Sequence, residues 1–354
     1  MSEGSYNFGL ITTSPINIGE EIQSLAAMRF LPQIDEYIHR EHVSKYRSSN
    51  KKLTKLIMNA WWMWRPKSFP PAKDILPLLV SMYFRVEKRK KFLTEKTRKY
   101  LIEKGPVGCR DTSTYEWLKE NNIPAYFSGC LTLTLKRSEK VKKQNYILCV
   151  DIAENVVEEI KKRTNLPVYH INVDLLPVYS PLERIEIAKI YLRLYQEAHC
   201  VVSNRLHVIL PCLAFDTPVL KLDSEKLERH IRVRYSGYED FAHVCSVEDF
   251  LSNKNIYDFN NPPKNPQKHL ELAEKLVQTC TNFTGFDNNK SFVDETENPF
   301  FKLLNYSSYS TNKIKGCCIR IRSSYLLRTF ISKVIFRKKP YDKASVSVKY
   351  QDFK

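Results

Sequence analysis

HCVVSNRLHVILPCLAFDTPVLKL, residues 199–222, packs three elements into 24 positions. His199–Ser203 is a short apolar run of strand length. Leu206–Phe215 carries a longer apolar stretch of helix length, and Pro218–Leu222 is a second strand-like run. The same rhythm precedes it. Tyr146–Asp151 (YILCVD) reads as a strand, Val156–Thr164 as a helix, Pro167–Val173 as a strand and Pro181–Ala198 as a long helix. Strands alternating with helices imply right-handed crossovers and a mostly parallel sheet covered on both faces, which makes the fold class α/β.

The first half repeats the pattern more loosely. A strand is expected at Tyr6–Thr13, followed by a turn at Asn17-Ile18-Gly19. The helix after it repeats Ile22, Leu25, Ala26 and Phe30 at helical spacing. Lys55–Met63 (KLIMNAWWM) reads as a buried strand, and Pro66, Pro70 and Pro71 break the chain after it. A basic helix over Glu87–Lys104, a strand at Val107–Arg110, a helix opened by Asp111-Thr112 and a strand over Ala125–Leu135 complete this half. The charged run Lys136–Lys143 separates it from the second half. The expected division is 1–140, 141–260, a linker with a return helix over 261–312, and a tail over 313–354. The helix His269–Phe283 is expected to cross back onto the first half.

The chain has 354 residues, 43% of them hydrophobic, which is ample for two ordinary cores. The nine cysteines never stand as CxxC, so neither a disulfide framework nor a thiolate metal site is expected. MSEGSYNFGLITTS lacks a basic start followed by an apolar run, and no segment reaches the roughly 18 apolar residues of a membrane span. The expectation is a cytoplasmic protein. Of the formal +17, the last 42 residues supply +10, with 12 basic residues against 2 acidic. A mildly basic body suits an enzyme that gathers anionic substrates. The tail mixes apolar and basic residues over Ser324–Phe336, as an interfacial helix does, which suits contact with an anionic membrane surface better than with nucleic acid; a disordered or self-docking basic tail fits the same residues about as well.

Ser203-Asn204-Arg205-Leu206-His207 is the densest chemical constellation. It lies where a strand ends and a helix begins, the position at which α/β sheets collect ligands and a helix N-terminus favours an anion. Arg205 can grip a phosphate or carboxylate with its fork of donors, and His207 can move a proton near neutrality. A loop-capping arginine and a core histidine fit the same pattern about as well. Gly108-Cys109-Arg110-Asp111 repeats the arrangement in the first half, so Arg110 can face Arg205 across a cleft; a structural Arg–Asp pair is the plainer reading. At Asn17-Ile18-Gly19-Glu20-Glu21, Gly19 permits close backbone approach and a carboxylate such as Glu20 can orient or deprotonate a sugar hydroxyl, although acidic residues also simply suit a helix N-terminus. Ser128 and Gly129 offer small residues at a loop edge, with Cys130 a weak nucleophile beside them. Trp61, Trp62 and Trp64 can stack on a sugar but read equally as core. His170 is a secondary candidate for proton transfer.

Taken in order, NIGEEIQSLAAMRFLP, NAWWMW, GPVGCRD, YFSGCLTLTL, YILCVD and SNRLHVILPCLAFDTPVL resemble the polysaccharide pyruvyl transferase family over about Asn7 to Leu222. The resemblance implies two Rossmann-like domains in a glycosyltransferase-B-like arrangement. It implies phosphoenolpyruvate as donor substrate, bound in the cleft between them; nothing in the sequence demands a metal, and no cofactor is expected. It also implies that Arg205, Leu206 and His207 are catalytic, and that the acceptor is a sugar of a surface polysaccharide or of its lipid-linked precursor. Two departures stand out: Glu20 where similar sequences often have Asp, and Tyr83 where they tend to have His. The competing expectations are a nucleotide-sugar glycosyltransferase of the same architecture and an inactive basic binding protein.

Overall fold

Two parallel sheets organise the chain. The computed structural model describes residues 6–13, 17–174, 179–223, 232–254, 257–293, 298–300 and 302–303. The basic tail over 313–354, with its expected interfacial helix, lies outside these residues.

The first sheet contains β1 (Asn7–Thr12), β2 (Glu36–His39), β3 (Thr54–Ile57) and β5 (Ile75–Leu78) in the order β2-β1-β3-β5. Two short parallel pairs extend this half: β4 (Trp61–Trp62) with β6 (Tyr83–Phe84), and β7 (Val107–Cys109) with β8 (Ala125–Phe127). The second sheet contains β9 (Ile147–Val150), β10 (Val168–Ile171), β11 (Cys200–Ser203), β12 (Val219–Asp223) and β13 (His243–Ser246), in the order β10-β9-β11-β12-β13. Every pairing within both sheets is parallel. All four residues of β9 are buried, as a central parallel strand with both faces covered requires. The expected two-part α/β architecture is the one observed.

The helices are α1 (Gly19–Met28), α2 (Arg89–Phe92), α3 (Glu95–Lys104), α4 (Thr112–Glu120), α5 (Glu154–Lys162), α6 (Pro181–Glu197), α7 (Leu206–Ala214), α8 (Val247–Leu251) and α9 (Leu270–Thr284). α6 opens with a full capping box. The Ser180 hydroxyl accepts from the Glu183 amide and the Glu183 carboxylate accepts from the Ser180 amide, with Pro181 at the first helical position. Most of α6 is buried, because α1 and α7 both pack against it. A buried ion pair, Arg184 to Glu21 at 2.7 Å, ties α6 to α1. One hydrophobic cluster therefore runs from Leu10 and Ile57 of the first sheet, through Ile22, Leu25, Leu192 and Leu210, to Leu148, Val201 and Val219 of the second.

Local patterns misplace several elements. The expected strand over Lys55–Met63 is two strands, parted where the Asn59 side chain donates to the Gln23 carbonyl at 2.7 Å. The basic helix expected over Glu87–Lys104 breaks before Thr94, whose hydroxyl caps α3 by accepting from the Thr97 amide. Ala125–Leu135 is a strand only to Phe127; Gly129, at φ +71°, turns the chain, and Leu131–Thr134 forms a buried 3-10 turn. α9 does cross back: Lys55 Nζ donates to the Phe283 carbonyl, and Arg29 holds Asp287 through Nε at 2.6 Å and Nη2 at 2.8 Å.

Candidate functional site

In the second sheet the chain reverses direction of growth between β9 and β11, and ligands of open α/β sheets lie beyond the carboxyl ends of strands at such a switch point. Asp151 follows β9 with φ +54°, and Ser203, Asn204 and Arg205 follow β11. Ser203 Oγ donates to the Val150 carbonyl at 2.9 Å and accepts from the Arg205 amide at 3.0 Å, so it fixes the loop. Arg205 Nε lies 2.6 Å from Asp151 Oδ2, while its side chain remains 40% exposed at the rim. α7 then begins at Leu206. Pro211 has no N–H to give the His207 carbonyl one turn back, and the His207 backbone departs from helical geometry at ψ 17°.

The first sheet has its own switch point, between β1 and β3, and the loop after β1 brings Asn17, Ile18 and Gly19 to the same place. The Ile18 amide donates to the Val173 carbonyl at 2.9 Å, and Asn17 bridges to Asp174. Asn17 Oδ1 accepts from the Gly19 amide at 2.7 Å. Gly19 is necessary here for space: a Cβ on it would stand 2.7 Å from His207 Nδ1. Two carboxyl ends thus meet around a cleft lined by Asn17, Ile18, Gly19, Val173, Asn204, Arg205, Leu206, His207, Val208, Arg234 and Tyr235.

The cleft is strongly electropositive on its deep side. His207 is only 6% exposed and its Nε2 has no hydrogen-bond partner. Burial, followed by the charges of Arg110 and Arg234, holds the imidazole well below its usual pKa, so it is neutral at pH 7. Arg110 is fully buried over the Tyr83 ring, 4.3 Å from its centroid, and reaches Gln23 Oε1 with one nitrogen at 3.4 Å. Its Nε and second terminal nitrogen have no partner. The adjacent Asp111 is turned away: it caps α4 by accepting from the Thr114 amide at 2.8 Å. Burial raises that carboxyl to about 6 against the opposing charge of Arg110.

Of the residues singled out in the sequence, Arg110, Arg205, Leu206, His207, Asn17 and Gly19 converge on this region. The others have different roles. Glu20 is bound by Arg40 Nη1 at 2.7 Å, and that guanidinium lies over Trp61; a paired carboxylate is a poor base, so the proposed deprotonating role does not fit. Ser128 is internal, accepting from the Ser81 amide and donating to the Cys109 carbonyl, both at 3.1 Å. Gly129 is covered by α9, since a Cβ there would stand 2.4 Å from Leu272 Cδ2. His170 lies away from the cleft beside Glu154, at 3.3 Å. Ser203 positions Arg205 rather than facing the cleft. Cys130 is fully buried and its thiol is pushed up by burial, which removes it as a nucleophile. Trp61 and Trp62 are core residues, and Trp64 is half exposed.

Arg234 was not anticipated. It stands in RVRYSGYED, which has no strand-to-helix junction to advertise it, and only folding brings it to the cleft. Among the described residues no group of three His, Cys, Asp or Glu side chains can hold a metal ion, and no helix is long and apolar enough to cross a membrane.

No curated protein sequence matches the chain significantly. Several solved structures are similar, among them these three. A protein of uncharacterised function from Klebsiella pneumoniae subsp. pneumoniae NTUH-K2044 aligns at 15% identity over 69% of this chain and 93% of that one, with a TM-score of 0.42. The UDP-GlcNAc 2-epimerase of Methanocaldococcus jannaschii, solved with UDP-GlcNAc and UDP, aligns at 12% over 78% and 99%, TM-score 0.38. MnaA of S. aureus, solved with UDP, aligns at 11% over 87% and 97%, TM-score 0.38. Residues 80–225, which contain Arg110, Arg205 and His207, match the polysaccharide pyruvyl transferase family, the one the sequence motifs resemble.

Proposed function

We propose that the protein transfers the pyruvyl group of phosphoenolpyruvate to hydroxyls of a polysaccharide or of its lipid-linked precursor, forming a ketal and releasing phosphate. Beside the family match, the observation that carries this reading is the pairing of a neutral imidazole whose Nε2 has no partner, in the cleft wall, with the nearby buried guanidinium of Arg110, which leaves Nε and one terminal nitrogen without partners. Phosphoenolpyruvate brings a phosphate and a carboxylate, the anions that arginine forks bind best.

The chemistry follows from the electrostatics. Without an anion, His207 is a poor acid because it carries no extra proton. Negative charge delivered beside it offsets Arg110 and Arg234 and raises its pKa, so the donor arms its own acid. Imidazolium then protonates the methylene carbon, leaving oxocarbenium character at C2. A sugar hydroxyl attacks C2 and its proton returns to His207. The C–O bond to phosphate breaks, a neighbouring hydroxyl attacks C2, and the departing phosphate takes the second proton. Arg205, held at the rim by Asp151, is placed to orient the donor.

Acceptor-dependent phosphate release from phosphoenolpyruvate tests the proposal, using a panel of glycans and glycolipids with wild type and His207→Ala. Release that disappears in the variant supports it; no release with any acceptor, together with no binding of phosphoenolpyruvate, counts against it.

A further inference from the structure

Arg234 lies beyond the residues that match the family, on the segment Arg232–Tyr238 that follows the second sheet's β12. That segment is fastened to both halves. On one side, the Tyr235 hydroxyl donates to the Asn204 carbonyl in the loop before Arg205. On the other, the first amides of α4 donate to Ser236: Thr112 to its carbonyl at 3.1 Å and Ser113 to its hydroxyl at 3.0 Å. The buried Tyr238 hydroxyl donates to the carbonyl of Arg110 itself. Gly237, at φ +92°, permits the turn, and a Cβ there would stand 2.8 Å from both Phe127 and Thr112. The backbone that follows Arg234 is therefore fixed.

The side chain it carries is poorly explained by stability. Its guanidinium lies 5.8 Å from the centroid of the same Tyr83 ring that Arg110 covers at 4.3 Å, so two cations share one aromatic neighbour. The buried Nε of Arg234 has no hydrogen-bond partner, nor have Nε and one terminal nitrogen of Arg110, the Tyr83 hydroxyl or His207 Nε2. The carboxylates nearby are committed elsewhere: Glu20 to Arg40, Asp111 to Thr114 and Asp151 to Arg205. Two buried cations that repel one another and leave their donors unused cost stability unless something negative joins them. Arg205 differs, because Asp151 already neutralises it.

We infer that Arg234 is an anion-binding residue of this cleft, acting with Arg110 to hold a small substrate that carries two anionic groups, such as a phosphate and a carboxylate. The inference rests on the transferase reading for the identity of the substrate but not for the charge of the site. Burial, followed by repulsion from Arg110, lowers the Arg234 pKa, which agrees with a guanidinium awaiting a counter-charge. A planar fork can bind such an anion through two parallel donors, one of them the unpartnered Nε, which a lysine cannot reproduce.

The test is calorimetric titration of wild type, Arg234→Gln and Arg234→Lys with phosphoenolpyruvate and, separately, inorganic phosphate, alongside thermal unfolding without ligand. For Arg234→Gln the expected loss of phosphoenolpyruvate affinity is on the order of ten- to a hundredfold, with a smaller loss for Arg234→Lys. The unliganded melting temperature of Arg234→Gln should equal or exceed that of wild type, because repulsion has been removed. Unchanged affinity in Arg234→Gln overturns the inference while leaving the transferase reading intact. A clear fall in unliganded stability overturns it in favour of a structural arginine. If wild type binds phosphate but not phosphoenolpyruvate, the transferase reading fails alone, and the response of phosphate binding to Arg234→Gln still decides the role of this residue. If wild type binds neither, both fail.

Discussion

Gly19→Ala is a one-carbon change aimed at His207 from the opposite half of the molecule. The new Cβ would lie 2.7 Å from His207 Nδ1, short of ordinary 3.4 Å contact by about 0.7 Å, and 2.8 Å from Asn17 Oδ1. The imidazole is enclosed and cannot swing aside freely, so the ring or the start of α1 must shift by most of that distance. Misplacing a reacting group by about 1 Å costs on the order of a hundredfold in rate, so a thirty- to hundredfold fall in turnover is expected. Stability should change less. Overpacking costs about 1–3 kcal/mol, and the lower chain entropy of alanine at a helical position returns about 0.5–1 kcal/mol of it. The assay is phosphate release at saturating donor and acceptor, with urea unfolding in parallel. Gly9→Ala is the control: its Cβ would crowd Ile38 at 2.9 Å within the first sheet, far from the chemistry, so it should cost stability and leave turnover alone. Turnover of Gly19→Ala within twofold of wild type would refute the claim that this glycine sets the imidazole position.

The imidazole of His207 should titrate well below 6.5 in the free protein, and its pKa should rise when phosphoenolpyruvate binds; NMR of the ring protons reads both. Because the unfolded chain takes up that proton at about 6.5, the contribution of His207 to stability is complete above this pH and is lost as pH falls toward its folded value. Asp111 acts oppositely. Its carboxyl is raised from 3.8 to about 6, so stability is lost as pH rises through that window, and Asp111→Asn should remove a slope worth up to about 3 kcal/mol in denaturant titrations at pH 4 and pH 7. Glu20→Gln breaks the buried pair with Arg40 and should cost about 3 kcal/mol in urea unfolding, with turnover near normal once the protein is folded.

The parts of the fold legible in the sequence were those with long, uninterrupted apolar runs. The central strands β9, β11 and β12 are buried on both faces, and their runs stand out against the helices between them. β2 (EYIH), β5 (ILPL) and β13 (HVCS) were missed because edge strands are short, half exposed and partly polar; in β5, Pro77 also argues against a strand until its edge position is known. Arg205 and His207 were legible because a strand-to-helix junction is a local pattern. Ser128 and Gly129 misled for the opposite reason: their small size serves Ser81 and Leu272, the second more than a hundred residues away. Glu20 reads locally as a first-turn carboxylate, and nothing within the helix announces Arg40. Arg234 needed the fold most, since its meaning lies in a ring and a second arginine contributed by the other half.

Because α1, α6 and α7 fuse the apolar faces of both sheets into a single cluster, neither half has a finished surface of its own where they meet. Calorimetric melting should therefore give one cooperative transition rather than two, and either half made alone should aggregate. The same continuity bears on engineering. Exchanging a whole half with that of a relative would leave mismatched side chains through the middle of the molecule, so new acceptor preferences are better sought by rewriting the loops at the mouth of the cleft.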